Sequence, residues 1–433
     1  MKSNTISSLK FLLTFGLAIV LYSCETDSSD DSTPIEENNA PNEFALVTIA
    51  NNSVDVQTLP SFSWETAIDT DGDIVTYDLL LDTNPNPNSI IAASLTSTSY
   101  ALTDELELDT TYYWKVIATD NDGNSTTSTT FQFDTRGIEL LTANFLMDGP
   151  FPARSNHTTV TFNNRIWIIG GSFSNDVWSS DDGVIWTLET ENADFLPREY
   201  HTSVVFDNKI WVIGGLGIEN SGFIVALNDV WSSSDGINWT LENDNANFPP
   251  RFVHSSIVFD NKIWVINGFD SAVSPNTYND VWSSSNGVMW TLVNNNPPLD
   301  SSIINESLVF NNKMWVIGGS TSSGKTNNVY SSTDGLDWEL VTENPGFSPR
   351  TITASALLDD KMWIFGGETS SGLSNDIWYT SDGISWYEAN SGTVNYTTRF
   401  GHTTSVLNDK FYIIAGYNTE GSRLNDVWVS EIQ

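Results

Sequence analysis

The chain has 433 residues, of which 55 are acidic and 17 basic, and its formal net charge at pH 7 is −38. This charge repels nucleic-acid phosphates and anionic lipid head groups, so both are excluded as principal partners. A hydrophobic fraction of 39% with 17 tryptophans excludes a disordered acidic chain and requires buried cores. The length allows two or more domains.

Residues 1–23 have the layout of a signal peptide. A short basic start precedes an apolar run, 11–22, that is too short and too early for a membrane-spanning helix. The single cysteine, Cys24, follows directly. Leu21-Tyr22-Ser23-Cys24 resembles a bacterial lipobox, in which the cysteine is lipidated. The alternative is an ordinary secretory peptide with an incidental cysteine.

Residues 24–42 are predicted to be an acidic, flexible tether. An acidic run directly after the cysteine resembles the surface-export signal of Bacteroidota lipoproteins. The resemblance implies a protein anchored by lipid to the bacterial outer membrane and exposed at the cell surface, with no other membrane contact. Acylation of Cys24 would leave no thiol for disulfides, metal binding or nucleophilic catalysis.

Residues 43–135 form a separate segment without the repeat found later. Its short alternating runs, 62–64, 75–81, 112–118 and 129–133, predict the strands of a small β-sandwich. The alternation through 106–118 resembles the tyrosine-corner region of fibronectin type III domains, with Leu108 where proline is usual. The resemblance implies structural roles for Tyr112, as the corner tyrosine, and for Trp64, in the core.

Two loops of this segment are acidic and carry a glycine turn. They contain Asp69, Asp71 and Asp73 in the first loop and Asp120 and Asp122 in the second. The resembling fold brings both loops to one end of the sandwich, where carboxylates could bind calcium. Ordinary Asx turns are the alternative, and neither loop has EF-hand spacing. No cofactor other than this possible calcium is expected.

From residue 137 to 433 the chain repeats. An aromatic residue of the predicted second strand recurs every 44 to 53 residues, at Trp167, Trp211, Trp264, Trp315, Trp363 and Tyr412. Glycine pairs and further tryptophans recur with it, and the pattern resembles the Kelch repeat. The resemblance implies a six-bladed β-propeller, all β like the sandwich before it. A strand near 138–145 is expected to close the last blade and remove an exposed sheet edge.

One repeat position carries arginine and, three residues later, histidine. The members are Arg154, Arg198, Arg251, Arg350, Arg399, His157, His201, His254 and His402. The Kelch resemblance places them beside the central channel, where arginines could grip carboxylates, sulfates or sugar acids. The alternative is that they cap loops and bond neighbouring carbonyls. A histidine-bound metal is disfavoured because no second ligand lies at short spacing. The fourth copy departs from the pattern with Ser302, Asn305 and Glu306.

Loops after the glycine pairs carry aromatic residues on the same predicted face. Phe223, Phe269 and Tyr278 could stack on a sugar ring or a peptide side chain presented by a partner. They could equally fold back over the blades. A recurrent Asp-Gly-x-x-Trp motif resembles the Asp-box of sialidases, and its aspartate and glycine build a hairpin turn.

The expected function is binding. The resemblance to galactose oxidase does not extend to its cofactor, which needs a cysteine crosslinked to a tyrosine, and no sialidase signature is present. We expect a cell-surface protein that recognises a glycan or an extracellular protein. The alternative is an enzyme acting on a sugar acid, similar to the Kelch-type sialic acid epimerase. No catalytic residue can be assigned, because fold does not determine function.

Overall fold

The computed structural model describes residues 38–137, 139–140, 143–270, 277–299, 305–351, 353–391 and 396–432. The signal peptide, Cys24 and most of the tether therefore lie outside the described residues. Regular structure in the described ranges is β-strand throughout, and none of their segments is a helix that could span a membrane. The described chain divides into two compact units.

The first unit comprises the described residues up to Asn51 together with Ser61–Ala101 and Tyr113–Gln132. One antiparallel sheet consists of the strands Leu46–Thr48, Ser61–Trp64 and Ser99–Ala101. A second antiparallel set consists of Thr76–Asp82, Ile90–Leu95, Thr111–Thr119 and Ser125–Thr127. Alternate residues of both sets are buried, and Phe62 meets Trp114 edge-on at 5.0 Å. Trp64 lies in this core, as expected.

The second unit comprises Asn52–Pro60, Leu102–Tyr112 and Phe133–Gln433. Its first strand, Ser53–Val56, pairs in parallel with Phe131–Thr135. The Tyr112 ring stacks on Phe133 at 5.9 Å, and its hydroxyl accepts a hydrogen bond from the Glu107 backbone N–H at 3.2 Å. This is the contact that the corner-tyrosine interpretation requires.

The remainder of the second unit contains the repeats, numbered 1 to 6 along the chain. Their first strands are Thr158–Phe162, Thr202–Phe206, Ser255–Phe259, Glu306–Phe310, Ala354–Leu358 and Thr403–Leu407. The second strands are Arg165–Gly171, Lys209–Ile218, Lys262–Ile266, Lys313–Thr321, Lys361–Thr369 and Lys410–Asn418. The third strands are Ser174–Ser180, Ile224–Ser233, Val281–Ser284, Gly324–Ser332, Gly372–Thr380 and Arg423–Glu431. The fourth strands are Thr187–Thr190, Thr240–Asn243, Thr291–Asn294, Glu339–Thr342 and Tyr387–Glu388.

Short strands at Arg198–Glu199, Arg350–Thr351 and Arg399–Phe400 pair with the extended second strands. Successive strands of each repeat pair antiparallel. A two-residue turn joins each first strand to the second. Both residues of these turns have positive φ, as a type I′ turn requires, and asparagine or aspartate tolerates that conformation. The turns are Asn163-Asn164, Asp207-Asn208, Asp260-Asn261, Asn311-Asn312, Asp359-Asp360 and Asn408-Asp409.

Each second-strand aromatic packs against the next repeat. Trp211 of repeat 2 shares a buried cluster with Ile263 and Trp290 of repeat 3. Gly287, at the tip of the repeat 3 hairpin, makes this approach possible. Its φ is +73°, and a Cβ there would lie 2.1 Å from the Trp211 ring. The same close approach is found at the Asp-Gly turns of repeats 1, 2, 4 and 5, so the repeated turn, which is Asn-Gly in repeat 3, is structural, as the sequence indicated.

Repeat 6 packs on repeat 1, since a Cβ on Gly183 would lie 2.1 Å from the Tyr412 ring. The strand that completes repeat 6 is Asn144–Asp148, which pairs antiparallel with Arg423–Glu431. The sequence placed this strand near 138–145. Glu139–Leu140 instead pairs in parallel with Asn390–Ser391. Phe145 meets Trp428 edge-on at 5.4 Å, which helps to set this register.

Candidate functional site

The five repeat arginines lie inside the repeats. In repeat 2, Arg198 Nη1 and Nη2 donate to Asp229 Oδ1 and Oδ2 at 2.9 and 2.7 Å. Nη1 also donates to the Gly214 carbonyl at 2.8 Å, and Nε donates to the Leu196 carbonyl at 3.1 Å. The same bidentate pairing is found in Arg154–Asp176, Arg251–Asp280, Arg350–Asp376 and Arg399–Asp426.

These arginines are only 0–1% exposed, and an aromatic ring covers each guanidinium. Burial alone raises the pKa of Asp176, but the hydrogen bonds and charge of Arg154 outweigh it and hold the pKa below its usual value. Trp178 Nε1 donates a further hydrogen bond to this carboxylate at 2.7 Å. These contacts favour the alternative given from the sequence, in which the arginines bond neighbouring carbonyls, over an arginine-lined binding face, because guanidinium donors are already used within the repeats.

The four histidines line a central cavity, and three of them link neighbouring repeats. His201 Nε2 is hydrogen-bonded to Thr158 Oγ1 at 3.1 Å, across the boundary between repeats 1 and 2. His254 is bonded to the threonine of repeat 2, and His157 to that of repeat 6, at 3.0 and 2.9 Å. Asn305 takes the same place in repeat 4 and accepts a hydrogen bond from Ser255 Oγ at 2.7 Å.

The pKa of each of these histidines is lowered, first by burial and second by the positive charge of the arginine three residues earlier. The pKa values of His254 and His402 fall to about 3, so these imidazoles are neutral at pH 7. Within the described ranges, no group of three histidine, cysteine or carboxylate side chains is arranged to hold a metal ion. The histidines therefore act here as neutral hydrogen-bonding groups.

The central cavity has a volume of about 250 Å³ and is lined by the first strands of all six repeats. Serine and threonine hydroxyls dominate its lining, and no lysine or arginine lines its described part. Hydroxyl groups both donate and accept hydrogen bonds. Such a surface suits a ligand with many hydroxyl groups better than an anion.

Glu306 is the one carboxylate that lines the described part of the cavity. Burial raises its pKa to about 7, and a hydrogen bond from Ser355 Oγ to Oε2 at 2.8 Å opposes this rise. The sequence marked Glu306 only as part of the departure in the fourth copy. Its position, directly after the histidine position, is Thr or Ser in four of the repeats. A glutamate where four other repeats have threonine or serine is the sequence feature that could have identified Glu306 as a cavity residue.

At one end of the cavity, backbone groups connect repeats 6, 1, 2 and 3. The N–H of Asn156 donates to the Gly401 carbonyl at 2.8 Å, that of Tyr200 to Asn156, and that of Val253 to Tyr200. All four residues have positive φ, including the β-branched Val253 at 52°. Valine is disfavoured in that conformation, so the surrounding contacts must hold it.

The three loop aromatics have different surroundings. Phe223 is 71% exposed. Phe269 packs edge-on against Phe252 at 5.3 Å, and the Tyr278 ring lies 4.7 Å from the Arg251 guanidinium carbon. Phe269 and Tyr278 thus fold back onto the protein, whereas Phe223 faces solvent. None of the three lines the described part of the cavity.

The two acidic loops belong to the first unit. Asp69 Oδ1 accepts the N–H groups of Asp71 and Asp73, and Asp120 Oδ1 accepts that of Asp122, so both loops contain Asx turns. Desolvation and the charges of Asp69, Asp122 and Asp120 raise the pKa of Asp73, so the loops lie close together. No metal-holding group occurs among the described residues, and calcium binding stays a prediction.

The sequence matches the KLHDC2/KLHL20/DRC7 Kelch-repeats domain over residues 115–301 and 286–433. The solved structure of YjhT is similar to this chain at a TM-score of 0.55 and 17% identity, and the match covers 66% of this chain and 99% of that chain. No curated protein matches. At this identity the structural likeness shows the fold alone. The chain belongs to the Kelch-repeat family and contains a Kelch-type β-propeller.

Proposed function

We propose that this protein is a lipid-anchored cell-surface binding protein whose propeller recognises a neutral glycan at the central cavity. The hydroxyl-rich lining of the cavity carries this proposal. Sugar hydroxyls and the side chains of serine, threonine, asparagine and neutral histidine can exchange hydrogen bonds in both directions. Because the arginines are paired with aspartates, the described lining offers no cation to a sugar acid or sulfate.

The proposed architecture has six blades, an N-terminal fibronectin type III-like sandwich and a lipid anchor at Cys24 in the outer membrane. Contact between repeats 6 and 1 supports the six-bladed ring. The buried Trp64 and the Tyr112 hydrogen bond support the sandwich. The anchor and the surface location rest on the sequence of the first 31 residues alone.

A glycan array tests the binding proposal directly. The full chain with Cys24→Ala, which cannot be lipidated, should bind a set of neutral glycans. Glu306→Gln should weaken that binding about tenfold or more, because a hydrogen bond to a charged group contributes about 1.5–3 kcal/mol. Phe223→Ala serves as the matched control, since Phe223 is exposed and lies outside the cavity lining.

Two array results would contradict the proposal. Failure to bind any neutral glycan removes its basis. Binding that depends on Phe223 and not on Glu306 would instead favour recognition through the exposed loop, the surface on which a protein partner would dock.

The second candidate is an enzyme acting on a sugar acid, similar to the Kelch-type sialic acid epimerase. One observation favours it, the pKa of about 7 at Glu306, because such a carboxyl can exchange a proton near neutral pH. NMR of sialic acid would measure anomer exchange with and without the protein. A rate equal to that in buffer eliminates this candidate, whereas acceleration lost in Glu306→Gln supports it.

A further inference from the structure

At the boundary between repeats 2 and 3, a single hydroxyl bonds two groups of the next repeat. In repeat 2, Thr202 Oγ1 is hydrogen-bonded to His254 Nε2 at 3.0 Å and to Ser256 Oγ at 2.7 Å. Thr202 directly follows a histidine position, and both of its partners belong to repeat 3. Thr158 and Thr403 occupy the same position in repeats 1 and 6 and reach the next histidine in the same way.

Repeat 5 breaks this arrangement because Ala354 stands at the threonine position. The two groups that a threonine there would reach are His402 Nε2 and Thr404 Oγ1, the counterparts of His254 and Ser256. Both atoms are buried and have no hydrogen-bond partner among the described residues. His402 itself is 4% exposed. The Phe365 carbonyl acts on the pKa of His402, but it does not lie in hydrogen-bonding geometry.

Buried polar atoms without partners are rare in folded proteins, since each costs about 1–3 kcal/mol. Here His402 Nε2 and Thr404 Oγ1 occur together, across the repeat boundary from Ala354, which has no hydroxyl to offer them. Ala354, His402 and Thr404 all line the central cavity. The place of the missing hydroxyl, which we call the gap at Ala354, therefore adjoins the cavity, and a ligand oxygen that enters this place would meet both atoms.

The neighbouring repeat adds a second polar group. Ser355, which directly follows Ala354, donates a hydrogen bond to Glu306 at 2.8 Å. Glu306 occupies the threonine position of repeat 4, so two adjacent positions of the ring depart from the hydroxyl pattern. One lacks a hydroxyl, and the other carries a carboxyl that can accept a hydrogen bond from a ligand.

We propose that the gap at Ala354 is a subsite for one hydroxyl group of a sugar, and that Glu306 holds a neighbouring hydroxyl of the same ring. The sugar oxygen replaces the missing threonine oxygen, donating to His402 Nε2 and accepting from Thr404 Oγ1. The neutral imidazole accepts through Nε2 when its proton is on Nδ1. This inference rests on the proposed glycan function and assigns the groups that select the sugar.

Long-range ¹H–¹⁵N NMR of the full chain tests the subsite, because the chain has only four histidines. The probes are D-galactose, D-glucose and D-mannose, each titrated separately, and His402→Gln identifies the His402 signals. At least one sugar should shift the His402 Nε2 resonance in a saturable manner. The other three histidines, whose Nε2 atoms are already bonded to threonine, should shift little.

Two substitutions of equal size, Ala354→Thr and Ala354→Val, distinguish filling the gap at Ala354 from restoring the hydrogen bond to His402. Ala354→Thr supplies the missing hydroxyl, so it should move the His402 resonance toward that of His254 without sugar and weaken sugar binding tenfold or more. Ala354→Val fills the gap without supplying a hydroxyl. It should block the sugar and leave the His402 Nε2 resonance where it is in the parent protein, because no hydrogen bond forms.

The subsite is overturned if none of the three sugars shifts His402, or if Ala354→Thr leaves the sugar-induced shift at full size. The glycan array distinguishes failure of the subsite from failure of the proposed glycan function. Array binding that survives Ala354→Thr keeps the glycan function and removes the subsite. The absence of both array binding and NMR shifts removes both.

Discussion

Arg251 Nη1 lies 2.6 Å from Asp280 Oδ1, and Arg251 Nη2 lies 3.0 Å from Asp280 Oδ2. The guanidinium also donates to the carbonyls of Pro249 and Asn267. The side chain therefore joins the loop that enters repeat 3 to both its second and third strands. The same pairing in four other repeats makes the buried ion pair a recurring part of the framework.

We predict that Arg251→Ala lowers the free energy of unfolding by about 3–5 kcal/mol, because it leaves a carboxylate buried without its cation. Urea unfolding measures this change. Lys262→Ala in the same repeat is the control, since Lys262 is partly exposed, lies 3.8 Å from Asp260 and 5.7 Å from the Trp264 ring, and should change stability by about 1 kcal/mol or less. Adding Asp280→Ala to the arginine variant should recover part of the loss. Equal stability of the two single variants would contradict the framework role.

Stability should fall as pH falls below the ordinary histidine pKa of 6.5. The folded protein holds the histidine pKa values down, to about 3 for His254 and His402, whereas the unfolded chain takes up protons from pH 6.5 downward. His254 and His402 each therefore remove about 1.4 kcal/mol per pH unit between pH 6 and 4. Urea unfolding at a series of pH values measures the slope. His254→Asn should reduce it by one histidine's share, since Asn305 already fills this position in repeat 4. An unchanged slope would show that His254 is not buried as a neutral group.

Ionisation of Glu306 should lower stability as pH rises, which is the opposite of the histidine effect. The pKa of Glu306 is raised to about 7 in the folded protein, so the unfolded chain loses this proton first and stability falls as pH rises from about 4.5 through 7. Glu306→Gln, which cannot ionise, should raise the melting temperature at pH 8 relative to the parent and leave it similar at pH 4.5. A difference independent of pH would show that burial does not perturb this carboxyl.

Cys24→Ala should release the protein from the membrane fraction, because a lipobox cysteine carries the acyl chains that anchor such a protein. Fractionation of cells that express the full chain measures the distribution. Ser23→Ala, beside the same site, leaves the cysteine available and is expected to stay with the membrane. Unchanged association of the Cys24→Ala variant would remove the lipoprotein prediction.

The closing strand gives a test by truncation. Deleting residues 1–148 removes Asn144–Asp148 and exposes the edge of the Arg423–Glu431 strand, whereas deleting 1–142 keeps the pair. The longer deletion should lose cooperative unfolding and aggregate, because an unpaired strand edge recruits other chains. Calorimetry and light scattering compare the two. Identical behaviour would show that this pairing is dispensable.

The strands and turns of the repeats were predictable because their signals are local. Asn or Asp pairs set the type I′ turns, and the aromatic of each second strand recurs at nearly constant spacing. The closing strand was misplaced because 138–148 is apolar enough to allow two registers. Its partner, Arg423–Glu431, lies at the far end of the chain, and the Phe145–Trp428 contact that favours one register is visible only in three dimensions.

The arginine pairs were missed although the sequence contained a signal. Repeat 4 carries Ser302 in place of the arginine, Asn328 in place of the aspartate and Tyr330 in place of the tryptophan. The joint loss of three residues in one copy indicates that they contact one another in the other copies. Ser302 lies outside the described residues. In the intact repeats the tryptophan Nε1 donates to the paired carboxylate, as Trp231 does to Asp229 at 2.7 Å.

The cavity could not be derived from the repeat pattern, because its character comes from exceptions to that pattern. Ala354 reads as an ordinary small residue of a strand until His402 is placed beside it. The departure in the fourth copy, which includes Glu306, was visible from sequence, but the position of this carboxyl in the cavity lining follows only from the packing of the first strands. Only the packing of neighbouring repeats shows which residues face inward.

The pairing of Asn144 with Val429 also determines when repeat 6 can be completed during synthesis of the chain. During synthesis the first of these residues leaves the ribosome long before the second exists, so the sixth repeat cannot be completed until Val429 has been made. Until then the apolar Phe145-Leu146-Met147 stretch and the open face of repeat 1 have no permanent neighbour, and contacts between such distant segments form slowly. Repeat 6 can therefore gain its last strand only after both edges are present together.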